Sequence, residues 1–254
     1  SFGAIFLKIP LIIHEQNARI GRLNKLLRPY AKLFFSSYLK SSPNKFYPVR
    51  RAFFQKARIR KTIKNILFMG GSQGAKTINN FALSVAEGLK ERGIIIYHQC
   101  GEIDFKRECD QYQSMDLKVK CFRIFDDFLQ DDLKEKFDVF LFAFIHEIPE
   151  IFYRCDFAVS RSGASSLWEL CANGLPALFV PYPYAASNHQ FFNAKFLEDQ
   201  NLGFLCEEKD LYDEVLWNVL DLCQQRVEQM SENLQKYCQL DATAQILEII
   251  LKEC

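Results

Sequence analysis

The sequence predicts an α/β protein built on parallel β-sheets, and two patterns along the chain support this fold class. Short runs rich in Ile, Val, Leu and Phe alternate with longer segments of helical periodicity, which is the order of βαβ units. The apolar runs show little alternation with polar residues, as is typical of strands covered by helices on both faces. We therefore expect functional loops at the carboxyl ends of the strands.

The predicted strands are short apolar runs that stop at a glycine, a serine, a proline or a polar residue. They cover residues 10–14, 66–69, 94–99, 119–122, 157–160 and 177–180. The predicted helices are longer segments in which apolar residues recur at helical spacing. They cover residues 22–27, 77–92, 147–153, 166–173, 190–199, 214–239 and 242–252.

The composition changes between residues 40 and 64, where serine and proline and then basic residues are frequent. Such a change is typical of a domain boundary. We therefore expect residues 1–62 to form the remainder of one Rossmann-like unit and its linker. Residues 63–240 would form a complete Rossmann-like domain, and residues 241–254 a final helix. The first residues resemble the middle of a helix, so the chain is expected to begin inside a domain.

Composition and charge argue against several classes of function. The 254 residues carry a net charge of +1, so no global attraction to nucleic acid is expected. The longest apolar run, residues 137–145, is far shorter than the ~18–20 residues of a membrane span. The 9 cysteines form no C-x-x-C pair. This predicts neither a metal site nor a disulfide framework, and it fits a reducing cytoplasm.

The first candidate site is the segment GGSQGA at residues 70–75, which joins a predicted strand to a predicted helix. Glycines allow a sharp turn and a close approach of the backbone to a ligand. The N-terminus of a helix offers free N–H groups to a phosphate. A phosphate site and a purely structural turn fit this segment equally well when it is taken alone.

A second turn of the same kind, SRSGASS at residues 160–166, follows the strand at 157–160. Two such turns favour a phosphate site over a structural turn. Ser166 and Glu169 have capping-box spacing, so Glu169 either caps the helix or accepts hydrogen bonds from two ribose hydroxyls. Both turns should lie at the carboxyl edge of one sheet, where open α/β sheets bind ligands.

Two polar segments follow other strands. His189, Gln190 and Asn193 come after the strand at 177–180, and amides suit sugar hydroxyls because both groups donate and accept hydrogen bonds. The segment HEQN at residues 14–17 is either the lip of a site or an ordinary polar loop. Basic residues then recur up to residue 32 at a spacing near three. Such a face is either solvated or attractive to pyrophosphate or an anionic membrane.

Taken in order, these segments resemble the MurG family of glycosyltransferases. The resemblance rests on IHEQN at 13–17, GGSQGA at 70–75, SRSGA at 160–164, GLPA at 174–177 and NHQ at 188–190. It implies an α/β fold of GT-B type with two Rossmann-like domains, the N-terminal one incomplete. The C-terminal domain would bind UDP-sugar, the N-terminal one the lipid acceptor, and the final helix would return to the N-terminal domain.

The resemblance also implies a role for individual residues. The diphosphate would be held by Ser72, Ala164, Ser165 and Ser166, with Arg161 beside them. Glu169 would bind the ribose, and the backbone of Ile145 would contact the uracil. The sugar would be contacted by Gln190, His189 and Asn193, and Asn79 would face the donor. On the acceptor side, Asn17 is the expected catalytic residue and Arg50 lies near the reaction centre.

The implied reaction transfers N-acetylglucosamine from UDP-N-acetylglucosamine to undecaprenyl-pyrophosphoryl-N-acetylmuramyl-pentapeptide, with inversion. No cofactor and no obligatory metal are expected, because no Asp-x-Asp motif lies near these loops. Asp126-Asp127 and Asp131-Asp132 fit a solvated surface. The expected partners are the nucleotide sugar, the lipid acceptor and a membrane surface contacted peripherally. The expected location is the cytoplasmic face of the inner membrane.

The sequence departs from the family pattern at its start. The family's glycine-rich loop, which ends in a histidine proposed as the acceptor-side base, has no counterpart here. The family's apolar membrane patch with basic neighbours is likewise expected to lie outside this chain. An N-terminally truncated chain is therefore predicted, compatible with donor binding without turnover.

Two alternatives remain at this point. A UDP-sugar 2-epimerase shares the fold but needs acidic and basic groups for proton transfer at C2, which the HEQN segment weakly permits. A non-catalytic UDP-sugar-binding subunit, completed by a partner chain, would need no such groups.

Overall fold

The computed structural model describes residues 2–70, 75–125 and 136–253. Its main feature is a 7-stranded sheet in the order β5-β6-β4-β3-β7-β8-β9, in which all neighbouring strands are parallel. A separate 2-stranded parallel sheet, β1-β2, precedes it in the chain. Both sheets confirm the predicted α/β class.

The strands are short and mostly apolar, as the sequence predicts. They are β1 (Ile12–Glu15), β2 (Leu33–Ser36), β3 (Asn65–Met69), β4 (Ile95–Gln99), β5 (Val119–Ile124), β6 (Val139–Phe144), β7 (Phe157–Ser160), β8 (Ala177–Phe179) and β9 (Phe204–Leu205). The sequence prediction missed β2, β6 and β9. β6 lies in the longest apolar run, which lacks the internal turn residues that mark strand ends.

The helices cover both faces of the large sheet and flank the small one. They are α1 (Phe2–Phe6), α2 (Arg22–Leu27), α3 (Arg51–Gln55), α4 (Lys76–Ser84), α5 (Ala86–Glu91), α6 (Phe105–Gln113), α7 (Ile148–Arg154), α8 (Ala164–Asn173), α9 (His189–Glu198), α10 (Asp213–Gln224), α11 (Val227–Lys236) and α12 (Ala242–Glu253). Of these, α3 and α6 were not predicted.

Two predicted long helices are each broken in the structure. The helix predicted at 77–92 divides into α4 and α5 at Val85, beside Ser84, whose hydroxyl donates to the Phe81 carbonyl at 3.0 Å. Such back-bonding serine side chains commonly bend helices. The helix predicted at 214–239 divides where Arg226 leaves the helical region, with φ −138°. A single long helix was therefore wrong in both places.

The large sheet separates two buried apolar layers. Successive residues of β3 alternate between them, because side chains of a strand point to opposite faces. Leu67 and Met69 join one layer, and Ile66 and Phe68 join the other. The first layer packs against α3, α7, α8 and α9, and the second against α4, α5, α6 and α10. The result is a three-layer α/β arrangement.

The connection before β3 is held firmly against the large sheet. Arg60 is fully buried and donates to the carbonyls of Phe152 and Arg58, each at 2.7 Å, and also to Asn173. Arg58 pairs with Asp156 at 2.6 Å. The segment whose composition predicts a linker is therefore ordered, and its arginines satisfy buried carbonyl groups.

One pair of cysteines corrects the expectation of free thiols. A disulfide joins Cys109 in α6 to Cys121 in β5, with a Cα–Cα distance of 6.4 Å. The two residues lack the spacing of a recognisable motif, and the packing of α6 on β5 brings them together. The remaining cysteines among the described residues are free and buried.

The final helix α12 lies close to the segment that follows β2. The amide of Asn44 donates to Oε1 of Gln245 at 2.8 Å. Within residues 2–70, 75–125 and 136–253, no helix has the length and apolarity needed to cross a bilayer.

Candidate functional site

The candidate site lies where the strand order of the large sheet reverses, beside the carboxyl ends of β3 and β7. Met69 and Ser160 are direct partners at these ends. β4 and β6 continue the sheet on one side and β8 and β9 on the other. Such a switch point leaves a crevice between diverging loops, which is where open α/β sheets bind ligands.

The loop after β3 begins at Gly70. A Cβ added to this glycine would collide with the backbone of Ala75, so only glycine permits this close approach. Helix α4 then starts at Lys76, and no side chain caps its N-terminus. Ser72, the predicted diphosphate contact, lies in residues 71–74 outside the described part of the chain, and its distance from Ser166 stays a prediction.

The loop after β7 leads directly into α8. The predicted capping box is wrong, because the helix begins at Ala164 with Gly163 as its N-cap and without a side-chain capping bond. Ser166 therefore lies inside the first turn. Ser165 is exposed and Ala164 is half-buried. The first-turn N–H groups of α8 thus have no side-chain cap and are available to an anion.

Glu169 lies one turn further along α8 and is not a cap. Its side chain is 21% exposed, and Oε1 is 3.8 Å from Nη2 of Arg50. Burial raises the pKa of Glu169 to about 7, and the nearby Arg50 guanidinium opposes the rise. The predicted ribose-binding carboxylate and the predicted acceptor-side arginine therefore face each other in this structure.

Aromatic rings join the start of α8 to the small sheet. The phenol of Tyr47 lies 3.4 Å from the hydroxyl of Ser165, and its ring stacks on Trp168 with a centroid distance of 6.0 Å. The ring of His14 is 5.7 Å from that of Tyr47. Burial lowers the pKa of His14, which favours its neutral form.

A buried amide connects the acceptor-side loop to the loop after β7. The side chain of Asn193 accepts from the backbone N–H of Ala18 at 2.8 Å and donates to the Asn17 side chain and to the Ser162 carbonyl, each at 3.1 Å. Asn193 is fully buried. The structure thus brings Asn17 next to the donor-side loop, with the Asn193 amide fully engaged by protein.

Glu15 shapes that same acceptor-side loop. Its carboxylate is 3% exposed and accepts from the backbone N–H groups of Asn17 and Gly21, at 3.0 and 2.9 Å. It also accepts from the Asn24 side chain at 2.9 Å. Sequence reasoning placed Glu15 in a polar lip without assigning a role. The available sequence signal was an acidic residue that precedes a loop containing Gly21, because a carboxylate can accept hydrogen bonds from the backbone N–H groups of such a loop.

Arg161 is held between two loops. It donates to the carbonyls of Val180 and Pro181, at 3.0 and 3.2 Å, and pairs with Glu208. Its side chain is 13% exposed. In this structure Arg161 fixes the loops that surround the predicted diphosphate site. Sequence reasoning missed Glu208, which lies far along the chain in a short acidic stretch without a motif.

The segment after β8 presents the predicted sugar-binding residues. Ser187 and Asn188 both have left-handed backbone conformations, with φ 56° and 54°, which is uncommon for non-glycine residues. His189 is half-buried and its Nδ1 lies 2.8 Å from the carbonyl of Ala186. Gln190 accepts from the backbone N–H of Tyr182 at 2.9 Å, and within the described part of the chain its amide nitrogen has no hydrogen-bond partner.

Asn79 and Ile145 occupy different surroundings. Asn79 is fully buried in α4, where its side chain donates to the Cys100 carbonyl and to Asp104 and lies 3.1 Å from His98. Burial lowers the pKa of His98 to about 3. The Asn79 side chain is therefore engaged beneath the strand ends. Ile145 directly follows β6, at the carboxyl edge of the sheet.

Among the described residues, no group of acidic, histidine and cysteine side chains has the arrangement of a metal site. The acidic pairs at residues 126–127 and 131–132 lie outside the described ranges. The candidate site therefore consists of helix N-termini, one partly buried carboxylate and polar loops.

Comparison with known proteins gives a consistent family. The model of the glycosyltransferase family 28 C-terminal domain matches residues 65–247. A relative in Wolinella succinogenes is 46% identical over 99% of this chain and 68% of its own length. One in Campylobacter jejuni is 44% identical over 98% of this chain and 66% of its own length. The chain thus spans about two thirds of each.

Both relatives carry the name UDP-N-acetylglucosamine–N-acetylmuramyl-(pentapeptide) pyrophosphoryl-undecaprenol N-acetylglucosamine transferase. Among solved structures, MurG of Acinetobacter baumannii matches with a TM-score of 0.75 and 27% identity, covering 99% of this chain and 70% of that one. A calicheamicin glycosyltransferase matches with a TM-score of 0.56 and 13% identity, over 91% and 59% of the two chains. The second match concerns the fold alone.

Proposed function

The chain belongs to the MurG group of glycosyltransferase family 28, and from this membership we propose that the candidate site binds UDP-N-acetylglucosamine. The acceptor is the undecaprenyl-linked muramyl-pentapeptide for which the relatives are named. The family and the fold were predicted from the sequence and are confirmed. The names of the relatives favour a transferase over the 2-epimerase and over a non-catalytic subunit.

The observation that carries the proposal is the meeting of donor-side and acceptor-side elements at one sheet edge. The uncapped N-terminus of α8 lies after β7, next to the carboxyl end of β3. Glu169 lies in the second turn of the same helix, and the Asn193 amide connects Asn17 to the same loop. Phosphate is stabilised at such helix N-termini by free N–H groups and the helix dipole.

In the proposed reaction the C4 hydroxyl oxygen of the muramyl sugar attacks the anomeric carbon of N-acetylglucosamine from the face opposite UDP. The bond from the anomeric carbon to the diphosphate oxygen breaks, and its electron pair leaves with UDP. The acceptor proton goes to a base. Inversion follows from the single displacement. The N–H groups of α8 stabilise the charge that develops on the diphosphate, which is a preorganised electrostatic contribution.

Glu169 is proposed to accept hydrogen bonds from the two ribose hydroxyls, and the loop with His189 and Gln190 to contact the sugar. The amide nitrogen of Gln190, which has no partner among the residues that the structure describes, supports the second assignment. The charge-stabilising groups are helix N-termini, with Arg161 bracing the neighbouring loops, and for this reason we propose that a metal is not obligatory. No cofactor is included in the proposal.

The direct test is calorimetric titration of the chain with UDP-N-acetylglucosamine, with and without a divalent cation. We expect binding in the micromolar range, about −6 to −8 kcal/mol, without dependence on the cation. Binding of UDP-galactose as tightly as UDP-N-acetylglucosamine, or binding abolished by a chelator, would contradict the proposed donor site.

We also propose peripheral contact with the cytoplasmic face of the membrane. Exposed apolar side chains occur in the first part of the chain, for example Phe2 (61% exposed) and Phe6 (86%) in α1. Leu23 and Leu26 are exposed in α2, which also carries the basic Lys25. The family's own apolar patch with basic neighbours is predicted to lie outside this chain, and the surface proposed here is additional to it. Interfacial helices of this composition bind anionic lipid surfaces.

Sedimentation with vesicles of anionic phospholipid tests this surface. Phe6→Asp should reduce the bound fraction several-fold. Ile103→Asp is a matched control, because Ile103 is also 86% exposed but lies in the loop before α6. Equal losses in both variants would contradict a specific contact through α1.

A further inference from the structure

A buried polar network lies beneath the start of α4, and two of its members, His98 and Asp104, have been given no role above. Its centre is the side chain of Asn79, which is fully buried in α4. Asn79 is held by His98 of β4, by the carbonyl of Cys100 and by Asp104, the residue before α6. The network therefore joins α4 to the neighbouring strand and to the helix that follows it.

The orientation of the Asn79 amide is fixed by its neighbours. Its nitrogen donates to the Cys100 carbonyl at 3.0 Å and to the Asp104 carboxylate at 2.9 Å. Because both partners accept, both amide hydrogens are used and the amide oxygen Oδ1 faces His98. Oδ1 lies 3.1 Å from Nε2 of His98. An amide oxygen only accepts, so Nε2 carries a hydrogen.

The ring of His98 is thereby held in one tautomer. Its Nδ1 lies 3.1 Å from the phenol oxygen of Tyr112. Burial lowers the pKa of His98 to about 3, so the ring is neutral and Nδ1 accepts the O–H of Tyr112. Both ring nitrogens are occupied, and His98 is 0% exposed. Because a fully satisfied buried network is rigid, Asn79 holds α4 in one position against β4 and α6.

The same part of α4 closes the loop after β3. The backbone N–H of Asn79 donates to the carbonyl of Ala75, the N-cap residue, at 2.9 Å. Ala75 lies against Gly70, where an added Cβ would come within 2.3 Å of the Ala75 nitrogen. The two ends of the segment 71–74 are therefore fixed, one by β3 and the other by the Asn79 network.

We propose that His98 and Asp104 are positioning residues for the donor diphosphate. They hold the Asn79 amide, and Asn79 holds the start of α4 and the end of the loop at residues 70–75 where phosphate binding requires them. This inference rests on the proposed donor site, which assigns the diphosphate to that loop. The nucleoside is assigned to Glu169 and Ile145, on α8 and after β6, so the network should affect the diphosphate and spare the nucleoside.

The test compares the affinities of UDP and uridine, measured by calorimetry and by NMR titration of the chain. In His98→Gln the side-chain nitrogen reaches the place of Nε2 and still donates to Asn79, whereas the shorter side chain of His98→Asn does not reach it. We expect His98→Gln to bind UDP within threefold of the unaltered chain and His98→Asn to bind it at least tenfold more weakly. Both variants should bind uridine within twofold.

Asp104→Ala removes the second side chain that holds Asn79. Asp104 makes no side-chain capping bond to α6, so the substitution takes no capping bond from this helix. Its other partner, Arg107 at 3.4 Å, keeps its ion pair with Glu108. UDP affinity should fall at least fivefold while uridine affinity stays the same. Asp110→Ala, at an exposed position of α6, is the matched control and should leave both affinities within twofold.

The tautomer of His98 is measured without any ligand. Long-range proton–nitrogen correlation spectra distinguish a ring nitrogen that carries a hydrogen from one that does not. We expect the hydrogen of His98 on Nε2, with no second protonation between pH 5 and pH 8, because its pKa lies well below this range. A hydrogen on Nδ1 would overturn the network as described.

The outcomes separate this inference from the proposed function. UDP affinity that is unchanged in both His98→Asn and Asp104→Ala would overturn the positioning role and leave the donor site standing. An equal loss of uridine and UDP affinity would also overturn it, because the network would then support the fold alone. If the unaltered chain bound neither UDP nor uridine, the proposed function would fail and the positioning role with it.

Discussion

The substitution Glu169→Gln tests both the electrostatics and the ligand of the candidate site. Burial raises the pKa of this carboxyl from 4.5 in the unfolded chain to about 7 in the folded one. The folded state therefore holds a proton that the unfolded state has lost between about pH 4.5 and pH 7. It follows that the contribution of Glu169 to the free energy of unfolding is fully present below pH 4.5 and decreases as pH rises through 7.

The size of this contribution follows from the shift. One pKa unit corresponds to about 1.4 kcal/mol, so the ionised buried carboxylate costs the folded state about 3 kcal/mol at pH 8. Glutamine has nearly the same shape and does not ionise. The free energy of unfolding of Glu169→Gln minus that of the unaltered chain should therefore increase by about 3 kcal/mol between pH 4.5 and pH 8.

The assay is urea unfolding at pH 4.5, 6 and 8, with Glu91→Gln as the control, because Glu91 is exposed at the end of α5. The control should show no such change. A difference between Glu169→Gln and the unaltered chain that is the same at all three pH values would refute the reasoning. So would an increase of equal size in the Glu91→Gln control.

The same carboxyl should control nucleotide binding. Only the ionised form accepts two hydroxyl hydrogen bonds without an O–H of its own, so UDP affinity should rise between pH 6 and pH 8. Glu169→Gln should weaken UDP binding by about 1–3 kcal/mol at pH 8 and remove the pH dependence. Calorimetry at both pH values measures this. Affinity that is unchanged in the variant would contradict the ribose assignment.

The remaining predictions concern groups that hold the site in place. Arg60→Ala should lower the free energy of unfolding by about 3–5 kcal/mol, because buried carbonyls lose their donor, whereas the exposed Arg51→Ala should change it little in the same urea titrations. Asn193→Ala should cost about 1–3 kcal/mol and speed hydrogen exchange at the Ala18 amide, and unchanged protection there would contradict the bridging role. Gly70→Ala should weaken UDP binding at least tenfold, measured by calorimetry, because the added Cβ displaces the phosphate loop; native affinity would contradict the close approach.

Several elements of the fold could be read from the sequence because they depend on local patterns. The bounds of α2 and β7 were predicted exactly as observed, since each is a short apolar or helical run with a clear end. The breaks at Val85 and Arg226 were not predicted. At Val85 the break depends on a serine hydroxyl turning to the backbone, and at Arg226 a single residue leaves the helical region, neither of which changes the periodicity of the sequence.

In the candidate site too, features with a local sequence pattern could be predicted and features that depend on distant contacts could not. The glycine-rich and serine-rich turns were recognised because a strand end followed by small residues and a helix is a local arrangement. The roles of Glu15 and Glu208 were missed, because their partners come from loop geometry or from a distant loop. The ribose-binding role of Glu169 stays a prediction, whereas its alternative capping role failed because α8 begins at Ala164.

The sequence by itself determined the α/β class, the strand-to-helix order around the two predicted turns, and the family, because these depend on periodicity and on short ordered motifs. Only the tertiary structure decided which polar groups are free for a ligand. Asn193 joins Ala18 across 175 positions of the chain, Arg161 joins Glu208 across 47, and Asn79 is enclosed beneath the sheet edge. The physical reason is that a buried polar side chain must find a partner wherever the fold places one, and that choice is made by packing over long range.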